Sequence, residues 1–139
     1  MSSIIFHQED ISFRLKNIKK IKSWIEKSIA LERGIVGDLN YIFCSDTYLH
    51  KINLEYLKHD TLTDIITFDY SEKKQISGDI FISIDRIKEN ALKFNQSIDI
   101  ELNRVLIHGV LHLLGYKDKT PKEKETMRAK EDFYLTLLS

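Results

Sequence analysis

Apolar positions along the chain fall into two periods. Over residues 16–31, Ile18, Ile21, Ile25 and Ile29 recur at helical spacing, with Lys16, Lys19, Lys20, Lys22 and Lys27 around the rest of the circumference. That pattern predicts an amphipathic helix. Residues 3–6 and 39–44 read as strands, as do the β-branched and aromatic runs 64–70 and 79–84. Gly34 and Gly37 punctuate a turn before the second strand, and residues 73–78 join the last two strands as a hairpin-like connection. Ser45 or Asp46 can cap a helix reaching about Leu57, and residues 85–94 read as another helix. Asp99 is positioned to cap a helix over 100–114. Thr120-Pro121-Lys122-Glu123 supplies a cap, a proline at the first helical position and a glutamate at the third, which marks the start of the last helix. Strands gather in the first two-thirds and helices dominate the end. This order predicts an α+β fold, a single layered domain over residues 1–139 in which a sheet packs against several helices.

The helix after Asp99 differs from the others. Leu102, Val105, Leu106, Ile107, Val110, Leu111, Leu113 and Leu114 cover most of its circumference, so it belongs at the centre of the molecule. Its polar exceptions, Glu101, Arg104, His108 and His112, form one narrow stripe. His108 and His112 are four apart, which puts their Cβ atoms on one face about 5–6 Å apart. Two imidazoles so placed can reach one ion at about 2.0–2.1 Å, although a histidine pair satisfied by local hydrogen bonds is the commoner arrangement. Gly109 favours the metal. A mid-helix glycine costs about 1 kcal/mol relative to alanine, which implies close approach of a backbone or ligand. Gly115 then ends the helix and lets the chain return Asp118 toward the pair. Two histidines and a carboxylate would leave one position open on a zinc ion, as catalytic sites require. Glycine follows His108, so the glutamate base of the His-Glu-x-x-His proteases is absent.

Composition narrows the partners. The chain has 139 residues, 42% hydrophobic and 30% charged, with five glycines, one proline, and no repeat or low-complexity segment. Basic and acidic residues balance at 21 each, so any RNA contact must rest on a local patch. Lys117, Lys119, Lys122, Lys124, Arg128 and Lys130 cluster near the return loop, but Glu123, Glu125, Glu131 and Asp132 dilute them, so a solvated face is expected, with an RNA-facing patch as the alternative. The single cysteine, Cys44, reads as core, and His7, His50 and His59 read as surface residues without ligand spacing. Thr63 and Asp64 fit either a polar corner of a cleft or a strand-start hydrogen bond. The apolar run Ile4-Ile5-Phe6 is too short for a signal-peptide core, and no stretch approaches ~20 apolar residues, so a cytoplasmic location without membrane contact is expected.

The run His108-Gly109-Val110-Leu111-His112-Leu113-Leu114-Gly115-Tyr116-Lys117-Asp118 resembles the His-Gly-x-Leu-His-Leu-x-Gly-Tyr-Asp-His signature of the YbeY endoribonucleases, bacterial ribosomal RNA maturation factors. Two more blocks are similar to that family: Asn53-Leu54-Glu55-Tyr56 with Asp60 and Thr63-Asp64-Ile65-Ile66-Thr67-Phe68, and Gly78-Asp79-Ile80-Phe81-Ile82-Ser83. The resemblance implies a four-stranded sheet layered with helices and one Zn2+, or another divalent ion, on His108, His112 and Asp118. It also implies cleavage of single-stranded RNA in small-subunit rRNA maturation and ribosome quality control, with the ribosome as partner. Two positions depart from the family. Asp118 stands where it has a third histidine, adding negative charge that weakens the ion as a Lewis acid. Leu57 stands where it usually has an arginine, leaving Lys58 or Arg104 as the candidate phosphate-binding cation. Two rival readings are a non-catalytic, metal-containing ribosome-assembly factor and a metal-dependent hydrolase of another substrate such as a peptide.

Overall fold

A computed structural model describes residues 3–59 and 63–138; Asp60, one of the motif positions above, lies outside the described residues. The elements in chain order are β1 (Ser3–Gln8), α1 (Ile18–Leu31), β2 (Ile35–Cys44), α2 (Asp46–Leu57), β3 (Ile65–Asp69), β4 (Gln75–Ser83), α3 (Ile84–Lys93), α4 (Ile98–Leu113) and α5 (Pro121–Thr136). The strands form one mixed sheet in the order β1-β2-β4-β3. β1 and β4 run parallel to β2 on either side of it, and β3 closes the sheet as an antiparallel edge on β4. The expected α+β layering with four strands is what the chain adopts.

Strand alternation splits the sheet between two cores. Leu39, Tyr41 and Phe43 of β2 and Ile76, Ile80 and Ile82 of β4 face the larger core, with Trp24, Ile25 and Ile29 of α1 and most of α4. Cys44 and Ile66 face the other way and pack under Leu49 and Ile52 of α2. Burial, with nearby acidic groups adding to it, pushes the Cys44 thiol up to about 12, so this cysteine is an inert core residue. α4 lies against the sheet, and the buried Tyr41 hydroxyl donates to the Leu106 carbonyl oxygen at 2.8 Å.

Gly109 explains how close α4 lies. A Cβ there would sit 2.9 Å from Ile80 Cγ2 and 3.1 Å from Ile65 Cδ1. The mid-helix glycine therefore accommodates strand side chains; a backbone or a ligand was expected there. Other boundaries also shift. Ser97, not Asp99, caps α4 by accepting from the Ile100 N–H, so the helix begins two residues earlier. Gly37 lies inside β2 at a register shift and marks no turn. Residues 75–78, expected in the connection, belong to β4. The capping box of α5 forms as expected, with Thr120 Oγ1 accepting from Glu123 N–H and Glu123 Oε1 from Thr120 N–H. Among the described residues, no helix is long and apolar enough to cross a membrane.

Candidate metal centre

The last two turns of α4 carry His108 and His112 outward on one face, their rings 4.5 Å apart and nearly perpendicular. Gly115, at φ +108°, ends the helix in a conformation that side chains rarely adopt. The Tyr116 N–H bonds back to the Leu111 carbonyl at 3.0 Å, and the reversed chain brings Asp118 beside the pair. His108 Nε2 and His112 Nε2 are then 3.0 Å apart, and Asp118 Oδ2 lies 3.3 and 3.2 Å from them. Ligands at about 2.0–2.1 Å around a tetrahedral ion stand roughly 3.3 Å apart. The triangle has that size.

The outer nitrogens show why the triangle suits a cation. His108 Nδ1 lies 2.6 Å from Glu131 Oε2, and His112 Nδ1 lies 2.9 Å from the Tyr116 carbonyl oxygen. Both partners only accept when Glu131 is ionised, so both Nδ1 atoms carry hydrogen. Neutral imidazoles in that tautomer turn two Nε2 lone pairs and a carboxylate oxygen toward one point. Three acceptors at 3.0–3.3 Å repel one another unless a proton or a metal ion stands between them. The residues fit a divalent ion.

The surroundings are acidic. Arg104 donates to Glu131 at 2.9 Å and to Asp132 at 2.7 Å, which holds Glu131 against His108. Burial works against charging His108, but the Glu131 contact and nearby Asp118 and Asp64 outweigh it and raise its pKa. Burial raises the Asp64 carboxyl above the usual carboxylate range, and burial followed by repulsion from Asp64 does the same for Glu101. These groups line a cleft of about 370 Å3 with His108 and Asp118.

The structure thus brings His108, His112 and Asp118 together and places Arg104 beside them, its guanidinium engaged by two carboxylates. Lys58 is elsewhere, exposed at the left-handed C-cap of α2 and not among the cleft-lining residues. Asp64 lines the cleft, whereas Thr63 makes a strand-start bond, its hydroxyl donating to the Ile65 carbonyl at 3.2 Å. His7 meets Asn40 on the opposite face of the sheet. Glu131 was missed as a functional residue, having been grouped with the solvated face. Its signal lay in the spacing of Met127, Glu131 and Tyr134, which puts a carboxylate in the apolar stripe of α5.

A sequence model of the family described as Endoribonuclease YbeY matches residues 3–139. The chain belongs to the YbeY family. It is 54% identical to the Endoribonuclease YbeY of Flavobacterium johnsoniae over 88% of each chain. It is also 54% identical to that of Cytophaga hutchinsonii, over 97% of this chain and 95% of the relative. A Thermotoga maritima protein solved in solution matches with a TM-score of 0.68 and 30% identity, over 96% of this chain and 87% of that one. The YbeY resemblance read from three motif blocks thus extends over nearly the whole chain, and the described elements share their arrangement with a solved structure.

Proposed function

We propose that this chain is a metal-dependent endoribonuclease specific for single-stranded RNA, one metallohydrolase domain over residues 1–139. It acts in the cytoplasm on ribosomal RNA, maturing the 3′ end of the small-subunit rRNA and serving ribosome quality control in contact with the ribosome. The observation that carries the reading is the convergence of His108 Nε2, His112 Nε2 and Asp118 Oδ2 within 3.3 Å of one another, with both Nδ1 atoms tied back. The names of the relatives, at about half identity over most of the chain, supply the substrate class.

His108, His112 and Asp118 are the proposed ligands of one Zn2+. A bound ion supplies Lewis acidity to a phosphoryl oxygen and lowers the pKa of a coordinated water. Glu131 and the Tyr116 carbonyl fix the tautomers and aim of the two imidazoles, as outer partners do at histidine–metal sites. Arg104 acts through Glu131. Lys58 is proposed as a cation for phosphate outside the cleft. Asp118 keeps the ligand count where the family signature has histidine, but adds a negative charge.

The test begins with metal content measured by mass spectrometry on protein purified without chelators. Near-stoichiometric zinc is expected, falling in Asp118→Ala, with single-stranded RNA cut by the zinc-loaded protein and spared by His112→Ala. No metal in the wild type, even after zinc is added back, overturns the site. Stoichiometric zinc with no RNA cleavage favours the assembly-factor alternative.

A further inference from the structure

We propose that the cleft beside the candidate ligands holds a nucleotide subsite in which Phe94 stacks one base of single-stranded RNA and Arg128 takes an adjoining phosphate. The inference rests on the ribonuclease reading above and names how that substrate is gripped.

Phe94 is the C-cap of α3, its N–H bonded to the Asn90 carbonyl at 2.9 Å. It belongs to neither core cluster and is 57% exposed, yet it lines the same cleft as His108 and Asp118. A single exposed phenylalanine is unremarkable on most surfaces. Among the described residues it is the only Phe, Tyr or Trp lining a cleft otherwise made almost wholly of polar groups. A base is flat and apolar on its faces and polar at its edge, so it matches a ring set among hydrogen-bonding groups. Asn90, in the same cleft, offers an amide whose side chain has no hydrogen-bond partner among the described residues.

The cations decide where the phosphate goes. Arg104 is bound by Glu131 and Asp132. Arg128 is exposed and lines the cleft from α5 without an ion pair among the described residues. Lys93 adds a positive charge 5.7 Å from the Phe94 ring centroid. Glu101 and Glu131 are buried at the floor of the cleft and Asp118 is turned to the histidines, so Arg128 is the exposed cation of the lining and the place where a phosphate can be met. A larger groove of about 510 Å3, lined by Tyr56, Phe68 and Tyr70, is on the opposite face of the sheet and contains none of the candidate ligands.

The probe is a short single-stranded RNA with one 2-aminopurine, whose fluorescence falls on stacking, read with zinc-loaded protein before cleavage proceeds. Phe94→Ala should abolish the quench and raise both Kd and KM by roughly 5- to 150-fold, the range of one base–aromatic stack, while kcat holds. Phe94→Tyr should restore both. Arg128→Gln should flatten the dependence of log Kd on log salt by about 0.7, one single-strand phosphate contact. Tyr70→Ala, in the opposite groove, is the control and should change neither. If wild-type protein cuts RNA and Phe94→Ala binds and cuts it equally well, the subsite is wrong and the ribonuclease reading stands. The same holds if Tyr70→Ala alone weakens binding, which seats the base in the other groove. If the wild type neither binds nor cuts single-stranded RNA, both fall.

Discussion

At the scale of single residues, Glu131 does most to shape the site without being a candidate ligand. Its carboxylate accepts from His108 and from Arg104 at once, so it orients an imidazole and is itself held in place. Glu131→Gln keeps the size of the side chain and removes the charge. The amide can still accept one hydrogen bond, but its NH2 end must then face either the imidazole N–H or the guanidinium. Outer partners of histidine ligands are worth about 10–100-fold in metal affinity. Zinc affinity, read by competition with a chromogenic chelator, should therefore fall by about that factor. Asp132→Asn, which loses only the more exposed end of the Arg104 contact, should change it little. Equal affinity in Glu131→Gln and wild type would show that the α4 histidines need no support from α5.

At the scale of elements, the site depends on how closely α4 lies on the sheet. Gly109→Ala sets two effects against each other. Alanine gains about 1 kcal/mol of helix propensity. Its Cβ would meet the buried Ile80 at Cγ2, 2.9 Å away, and the half-buried Ile65 at Cδ1, 3.1 Å away, and overpacking of this kind costs about 1–3 kcal/mol. The clash should win, destabilising the protein by about 1 kcal/mol in urea unfolding and loosening zinc binding as α4 lifts; a more stable variant would mean that the isoleucines yield freely. The sequence made the cost of this glycine visible but not its cause, because helix periodicity does not say which strands lie beneath. The α5 cap was legible because Thr120, Pro121 and Glu123 act within one turn. The α4 cap was misplaced for a similarly local reason: Ser97 and Asp99 are both good caps two residues apart, and only the bond to Ile100 N–H decides between them. The histidine pair and Asp118 were legible from spacing and a helix-ending glycine. Glu131 was not, because it reaches the site from another helix, through a contact that no local pattern records.

At the scale of the whole molecule, α1, the loop that follows α4, and α5 meet at Glu32. Tyr116 and Tyr134 donate their hydroxyls to its carboxylate, and Lys130 donates at 2.9 Å. Trp24 fixes the same helices by donating to the Tyr134 carbonyl at 2.8 Å. Tyr116 has a second role, since its carbonyl orients His112, so the packing of α1 against α5 reaches the candidate ligands through this one tyrosine. Burial alone would raise the Glu32 pKa, but the hydrogen bonds from Tyr116, Tyr134 and Lys130 outweigh it and hold the carboxyl below its ordinary value of 4.5. A carboxylate whose pKa is depressed by folding stabilises the native state above its unfolded pKa, and that contribution disappears as pH falls through the folded value. Glu32→Gln should therefore cost about 2 kcal/mol near neutral pH, since it loses charge-assisted bonds. The gap from wild type should hold steady down to about pH 4.5 and narrow below it. Urea unfolding of both proteins across that range, in chelator so that zinc adds no linkage of its own, reads the gap directly. Other titrating carboxylates cancel in the difference. A gap that stays constant to the lowest pH at which both fold would mean that the shape of the side chain at position 32, and not its charge, joins the three segments. The same substitution frees the Tyr116 ring without touching a candidate ligand, so a fall in zinc affinity beyond that of an equally destabilised variant elsewhere would trace the path from Glu32 to His112.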